Sequence, residues 1–384
     1  MKRLLVLNQY YWPGPEATAQ LLTELCEGLA GTYAVTVVAG TTRGAGPGRQ
    51  TRNAVEIVRV PSTSFSRSRL AARAANYLTY VALAAFRGLT TRRPDVVLCE
   101  TDPPFAGDAA YLVARRFGVP LIAVVQDLYP ETAAETGKLS SPLVLQGLRT
   151  AVDVYVRSAD RVVAISETMR RRLEARGVQP ERISVIPGWV DTEAIHPVDL
   201  DRDGSFLVMH SGNVGQAQEL DTLIDAAREL ADVEFEIVGN GSRRTELERL
   251  AAGLPNVSFL PYRPRNELSE SLSSASLHFV GLASGLAGYV VPSRLYGVLA
   301  AGRPVLVAAD ETSEAAELVR EAGAGIIVPP GRPDAVAAAI RSARNGEYDL
   351  DEMGRRGRDF VVSRHGRDTG IAAYRDLLEE VLGA

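Results

Sequence analysis

Arg294 is the residue from which chemistry is read most directly. It lies in the run Gly288-Tyr-Val-Val-Pro-Ser-Arg-Leu-Tyr-Gly-Val-Leu-Ala-Ala-Gly-Arg-Pro-Val305. Pro292 and Ser293 read as a helix start: the ring holds the backbone and the hydroxyl caps, so the amides that follow point into the preceding loop. Such an end attracts anions, and a cation in the first turn opposes the helix dipole unless an anion lies in front of it. A diphosphate meets that requirement. A solvated arginine on an ordinary surface helix would show the same letters, so the neighbouring loops have to decide.

Two of them point the same way. Phe206-Leu-Val-Met-His-Ser-Gly-Asn-Val-Gly215 reads as a strand ending in small residues, where Gly212 and Gly215 permit close approach of a ligand to the backbone. Glu234-Phe-Glu-Ile-Val-Gly-Asn-Gly241 repeats the design one strand later, with Ser242 placed to cap the next helix. A glycine-rich turn alone is more often only a turn; two of them in the same half as Arg294 predict one shared crevice. His210, at the end of a buried strand, reads as a packed or cleft-lining side chain. A dinucleotide fingerprint would follow the first strand, and Asn8-Gln-Tyr-Tyr-Trp-Pro-Gly14 does not supply one, which excludes a dehydrogenase.

Carboxylates gather at strand ends in the other half. Val124-Val-Gln-Asp-Leu-Tyr-Pro-Glu131 places Gln126, Asp127 and Glu131 at such an end. Asp127 there either takes a proton from a substrate hydroxyl or caps the following turn, and the residues leave both open. Glu100-Thr-Asp102 and Trp12-Pro-Gly-Pro-Glu16 end neighbouring strands, so Gly14, Glu16, Glu100, Asp102 and Gln126 are candidates for a second substrate, although Glu16 and Glu100 also read as solvated surface acids. Glu100-Thr-Asp102, Asp201-Arg-Asp203 and Asp349-Leu-Asp351 match a metal-diphosphate motif by letters only. The latter two sit in polar stretches where capping or solvation explains them. The four histidines show no metal-ligand spacing, so neither a metal nor a cofactor is expected.

These residues need elements to hold them. Short β-rich runs alternate with helix-length segments: Leu4–Asn8, Val35–Ala39, Glu56–Val60, Val96–Glu100, Leu121–Gln126, Arg161–Ile165 and Ser184–Pro187. A second series follows: Phe206–His210, Glu234–Val238, Val257–Leu260, Leu277–Val280, Val305–Ala308 and Gly325–Val328. That alternation predicts an α/β fold of two doubly wound, Rossmann-like parallel-sheet domains facing a cleft, with ligands beyond the carboxyl ends of the strands. At 384 residues the chain exceeds what one core normally serves. The expected organisation is residues 1–190, a polar linker over 191–205, residues 206–366, and a last helix at about 367–384 packing back on the first domain. A net charge of −5 argues against nucleic acid as a partner. Cys26 and Cys99 form no disulfide framework, and no apolar run of about twenty residues spans a bilayer, so a cytoplasmic setting is expected.

With these residues assembled, the chain resembles the GT-B glycosyltransferases of family four, in particular the branch that builds O-antigen and colanic-acid-like polysaccharides on polyprenyl-diphosphate carriers. The carriers are Ser211-Gly-Asn-Val-Gly215 with Gln218, Val238-Gly-Asn-Gly241, Gln126-Asp-Leu-Tyr-Pro-Glu131, and Val291-Pro-Ser-Arg-Leu-Tyr-Gly297 with Ala301-Gly-Arg-Pro304. The resemblance implies a UDP-sugar held mainly by the second domain, an acceptor held by the first, and metal-independent transfer with retention. Donor contacts are then expected from Gly212, Asn213, Gln218, Gly239, Asn240, Gly241, Tyr262, Gly288, Tyr289, Val290, Pro292, Ser293 and Tyr296. Many relatives carry two glutamates eight positions apart where this chain has Gly288 and Tyr296, and a lysine near Gln218; Arg294 is the candidate to supply the diphosphate charge instead. The expected chemistry is diphosphate departure assisted by Arg294 and by amides of Gly212 and the Gly288–Val290 loop, then front-face attack. Asp127 would accept or orient the acceptor proton, with Glu131 competing.

Between Ile57 and Pro94 there is no acidic residue, while Arg59, Arg67, Arg69, Arg73, Arg87, Arg92 and Arg93 surround Tyr77-Leu-Thr-Tyr-Val-Ala-Leu-Ala-Ala-Phe86. That pattern fits either a peripheral helix on the anionic inner face of the cell membrane or a buried crossover helix with solvated ends. Three competing functions share the fold: a UDP-sugar epimerase, a non-catalytic nucleotide-sugar-binding subunit, and a glycosyltransferase acting on a secondary metabolite.

Overall fold

The computed structural model describes residues 1–14, 16–42, 44–63, 65, 70–101, 103–135, 139, 141–200 and 204–383. Contacts divide it into two compact units. The first comprises Met1–Pro187, Gly288–Val290 and Asp368–Ala384, and the second Gly188–Ala287 and Val291–Arg367.

The first unit is built on strands β1 (Arg3–Leu7), β2 (Ala34–Ala39), β3 (Gly48–Arg52), β4 (Val55–Arg59), β5 (Val96–Glu100), β6 (Leu121–Val125), β7 (Arg161–Ala164) and β8 (Ile183–Val185). Their order is β3-β4-β2-β1-β5-β6-β7-β8. Every residue of β5 and β6 is buried, as continuous Val, Leu and Ile runs require when helices cover both faces. Each such side chain contributes about 1.5–3 kcal/mol.

One strand departs from the expected parallel sheet. β3 pairs antiparallel with β4 through a turn in which Asn53 and Ala54 take φ of 45° and 63°. Its residues Gly-Arg-Gln-Thr-Arg are almost all exposed and carry no apolar alternation, so periodicity had nothing to detect. A short, charged, exposed strand is a common way of ending a sheet.

The second unit contains β9 (Leu207–Ser211), β10 (Glu234–Val238), β11 (Val257–Leu260), β12 (Leu277–Gly281), β13 (Val305–Ala308) and β14 (Gly325–Val328), all parallel, in the order β11-β10-β9-β12-β13-β14. These strands fall within a residue of the expected positions. Residues 191–200 are tied to this unit rather than free: the Val198 and His196 amides donate to the hydroxyls of Ser273 (3.0 Å) and Ser269 (3.2 Å). The Asp191 carboxylate accepts from the Glu193 and Ala194 amides and pairs with Arg367 at 2.9 Å. Residues 201–203, with the Asp201 and Asp203 pattern, lie outside the described residues. Asp349 caps the helix Leu350–Arg364 through the Glu352 amide at 2.9 Å.

The last helix, Arg367–Leu382, places Ile371 against Gly28, and Lys2 Nζ donates to the Leu382 carbonyl at 3.1 Å. No described helix is long and apolar enough to cross a membrane.

Candidate functional site

In the second unit, neighbouring strands bring the two glycine loops together. β9 and β10 align Ser211 with Val238, so the residues after them meet. The Gly212 amide donates to the Val238 carbonyl at 2.8 Å and the Val214 amide to the Asn240 carbonyl at 3.0 Å. Gly212 and Gly239 adopt φ of 146° and 139°. A Cβ on Gly239 would stand 1.8 Å from the Gly212 oxygen, and one on Gly241 2.1 Å from the Val214 oxygen. Gly239 and Gly241 are therefore required by the contact between the loops.

Other expected donor residues make bonds inside the unit. Gln218 is buried, and its Oε1 accepts from the Gly215 amide (3.0 Å) and Asn213 Nδ2 (3.3 Å), closing the first loop on itself. Asn240 Oδ1 accepts from the Gly241 amide at 2.8 Å, and the exposed Tyr262 donates its hydroxyl to the Asn240 carbonyl at 3.2 Å.

Arg294 opens the seven-residue helix Arg294–Ala300, two residues after the buried Pro292. Ser293 corrects the expectation of a cap: it is exposed and its hydroxyl makes no capping bond. The Arg294 guanidinium lies beside Gly212, 3.5 Å from where a Cβ would be, and Nη1 sits 2.9 Å from Nε2 and 3.1 Å from Nδ1 of His210. Burial pulls Arg294 down to about 10, opposed by Tyr262. Burial, with Arg294 second, holds the fully buried His210 well below the usual histidine range, so its ring is neutral. A neutral ring keeps one nitrogen free to accept from Arg294 Nη1, while Nε2 also lies 3.3 Å from the Asn213 carbonyl. Among the described residues no carboxylate pairs with Arg294, so a half-buried cation faces the loops with only a neutral partner.

Tyr296 does not present itself to a ligand. It is 2% exposed, packs on Gly188 and lies 4.9 Å from the His365 ring. Gly288, Tyr289 and Val290 belong by their contacts to the first unit. The Tyr289 carbonyl accepts from the Leu128 amide at 3.1 Å, its ring lies 4.5 Å under the Arg172 guanidinium, and Gly288, with φ of 77°, abuts the Thr168 carbonyl.

In the first unit, the carboxyl ends of β5 and β6 hold a polar cluster. Glu100 is not the solvated acid that its type suggested: it is 3% exposed and accepts from Asn8 Nδ2 (3.0 Å) and Gln126 Nε2 (2.9 Å). The Thr101 hydroxyl accepts from the Gln126 amide at 3.1 Å and donates to the Asp127 carbonyl at 3.2 Å, fixing the backbone on which Asp127 stands. Glu131 is bound to Arg149 at 2.9 Å and Arg176 at 3.4 Å, and Arg176 also pairs with Asp153 at 2.6 Å. That network suits Glu131 to holding helices together. Gly14 sits under the Glu16 carboxylate, since a Cβ there would meet it at 2.6 Å. Asp102 lies outside the described residues. Asn8 and Thr101 were not singled out as site residues, and His210 was read only as a packed or cleft-lining side chain. The signal for all three was a polar side chain at the end of an otherwise apolar strand.

Models of known families match both units: a glycosyl transferase 4-like domain over residues 17–189, and glycosyl transferases group 1 over 205–345. WcaI of Escherichia coli K12, named as a colanic acid biosynthesis glycosyl transferase, is 28% identical over 290 residues, 70% of this chain and 71% of its own. The D-inositol 3-phosphate glycosyltransferase of Acidothermus cellulolyticus is 30% identical over 309 residues, 70% of this chain and 68% of its own. Among solved structures, Anabaena HepE in complex with UDP and glucose superimposes with a TM-score of 0.75 at 15% identity, covering 99% of this chain and 100% of HepE. The chain belongs to the GT-B glycosyltransferases of family four.

Proposed function

We propose that this protein moves a sugar from a UDP-sugar to a lipid-diphosphate-linked or other glycan acceptor in surface polysaccharide synthesis, without a metal and with retention at the anomeric carbon. The observation that carries the reading is the half-buried Arg294 guanidinium beside Gly212, a cation with a neutral histidine and no carboxylate partner among the described residues. A diphosphate supplies the missing negative charge, and the group strengthens its hold as charge grows on the departing phosphate oxygens. The Gly212 amide is spent on Val238, so the guanidinium and not that amide is the group that answers the leaving charge.

The acceptor falls to the first unit, where Asp127 takes or orients the hydroxyl proton and Glu100 holds Gln126 in place. WcaI carries colanic acid biosynthesis in its name, and HepE was crystallised with UDP; both support the substrate classes proposed. The helix Leu70–Leu89 exposes Leu78 and Phe86 and is followed by Arg92 and Arg93, an arrangement that supports a peripheral contact with an anionic inner leaflet. Arg67 and Arg69 of the same basic run lie outside the described residues.

The test is transfer to short-chain polyprenyl-diphosphate sugars from a panel of UDP-sugars in metal-free buffer, with Arg294→Ala and Asp127→Asn beside the wild type. Donor-dependent product that both substitutions abolish is expected, with the anomeric configuration read by NMR. Turnover of donor without acceptor would make the protein an epimerase. UDP binding without product from any donor would make it a binding subunit.

A further inference from the structure

A groove of about 510 Å³ opens at the amino ends of β1, β2 and β5, the opposite end of the first sheet from Glu100, Gln126 and Asp127. Five-residue strands at about 3.3 Å per residue put the two ends about 15 Å apart. Four guanidinium-bearing residues line the groove: Arg3, Arg49, Arg87 and Arg92. The one carboxylate in its lining, Glu56, already pairs with Arg49 at 3.3 Å and accepts from the Thr36 hydroxyl at 3.1 Å. No ion pair ties Arg3, Arg87 or Arg92 to a described carboxylate. The side chains of Thr90 and Thr91 complete one wall.

Four cationic side chains against one satisfied acid leave the groove strongly positive. It also receives the carboxyl end of the helix Leu70–Leu89, whose dipole contributes about half a negative charge and does not reverse that balance. The volume lies within the range of small-molecule sites, and guanidiniums with hydroxyls are the usual recognition set for phosphate. Phe86, 68% exposed, and Leu89 stand on the same helix end.

We propose that this groove binds a phosphate-bearing anion, at a site of the first unit distinct from Arg294 of the second. A lipid headgroup and a soluble phosphate compound share that chemistry. The inference rests on the groove alone and stands whatever the sugar donor.

The experiment uses the full chain. Binding is measured calorimetrically with inorganic pyrophosphate, and by co-sedimentation with phosphatidylcholine vesicles made with and without phosphatidylglycerol. The wild type is compared with Arg87→Ala/Arg92→Ala and with Arg115→Ala/Arg116→Ala, which removes the same two charges from an exposed helix end of the same unit that does not line the groove. The groove doublet is expected to weaken binding of one ligand about tenfold or more, and the Arg115→Ala/Arg116→Ala control by no more than about twofold. Loss confined to phosphatidylglycerol vesicles identifies a headgroup; loss of one equivalent of pyrophosphate identifies a soluble ligand. Should the groove doublet melt early, Arg49→Ala on the facing strand replaces it. The proposal is overturned if the wild type binds neither ligand, if the groove variants bind both as the wild type does, or if the Arg115→Ala/Arg116→Ala control costs as much.

Discussion

Arg294→Met separates a site residue from a structural one, because the two roles predict opposite changes in stability. Burial lowers the guanidinium from its usual range to about 10. Below about pH 10 the charge is present in both folded and unfolded chains, so the full cost applies at neutrality, about 3 kcal/mol at about 1.4 kcal/mol per pH unit. Arg294 keeps some exposure, and screening reduces this to about 1–2 kcal/mol. Methionine restores the packing of the stem, while the lost bond to His210 costs about 1 kcal/mol. The variant should therefore be as stable as the wild type or up to about 1 kcal/mol more so. Loss of a charge-assisted contact to diphosphate should weaken UDP about 10–100-fold and lower kcat/KM about 100–1000-fold. Thermal melting with and without UDP reads both effects in one assay: the wild type should be raised by UDP and the variant should not. A variant destabilised by more than about 1 kcal/mol that still responds fully to UDP would refute the reasoning and reduce Arg294 to a partner for His210.

Two further outcomes follow from the second unit. Burial holds His278 down to about 4, with its ring bonded to the Leu272 carbonyl at 2.9 Å. The unfolded chain takes up this proton below about 6.5 and the folded chain does not, so stability is full above pH 6.5 and falls by about 3 kcal/mol towards pH 4. His278→Asn should flatten that decline in denaturant titrations at successive pH values; an unchanged slope would assign the acid sensitivity elsewhere, His210 first. Gly239→Ala drives a Cβ into the Gly212 oxygen and should cost about 2 kcal/mol or more together with the response to UDP. Gly253→Ala, at φ of 88° with open space around it, is the control and should cost only about 1 kcal/mol in urea unfolding.

Much of the fold was legible because buried parallel strands leave an unmistakable record. Val-Val-Leu-Cys-Glu and Leu-Ile-Ala-Val-Val can only be continuous apolar runs, and their alternation with helices implied two doubly wound sheets. β3 escaped because an exposed edge strand needs no apolar residue. The glycine loops were placed beyond their strands, but the packing that requires the glycines was not visible: spacing identified turns, and it could not show that Gly239 and Gly241 are required by the carbonyls of Gly212 and Val214.

The sequence by itself determined the class of chemistry: Pro292-Ser293-Arg294 after a loop, two glycine turns after successive strands, and Gln126-Asp127 at a strand end are local patterns, set by backbone geometry over a few residues. Tertiary structure alone decided which polar groups remain available. Gln218 and Glu131 have the right chemical type for a site, yet Gln218 is bonded within its own loop to Gly215 and Asn213, and long-range pairing commits Glu131 to Arg149 and Arg176. Glu100 has the composition of a surface acid and is buried because Asn8 and Gln126 satisfy it. Burial and hydrogen-bond satisfaction depend on residues far apart in the chain, as with Arg294 and His210, and no local pattern encodes them.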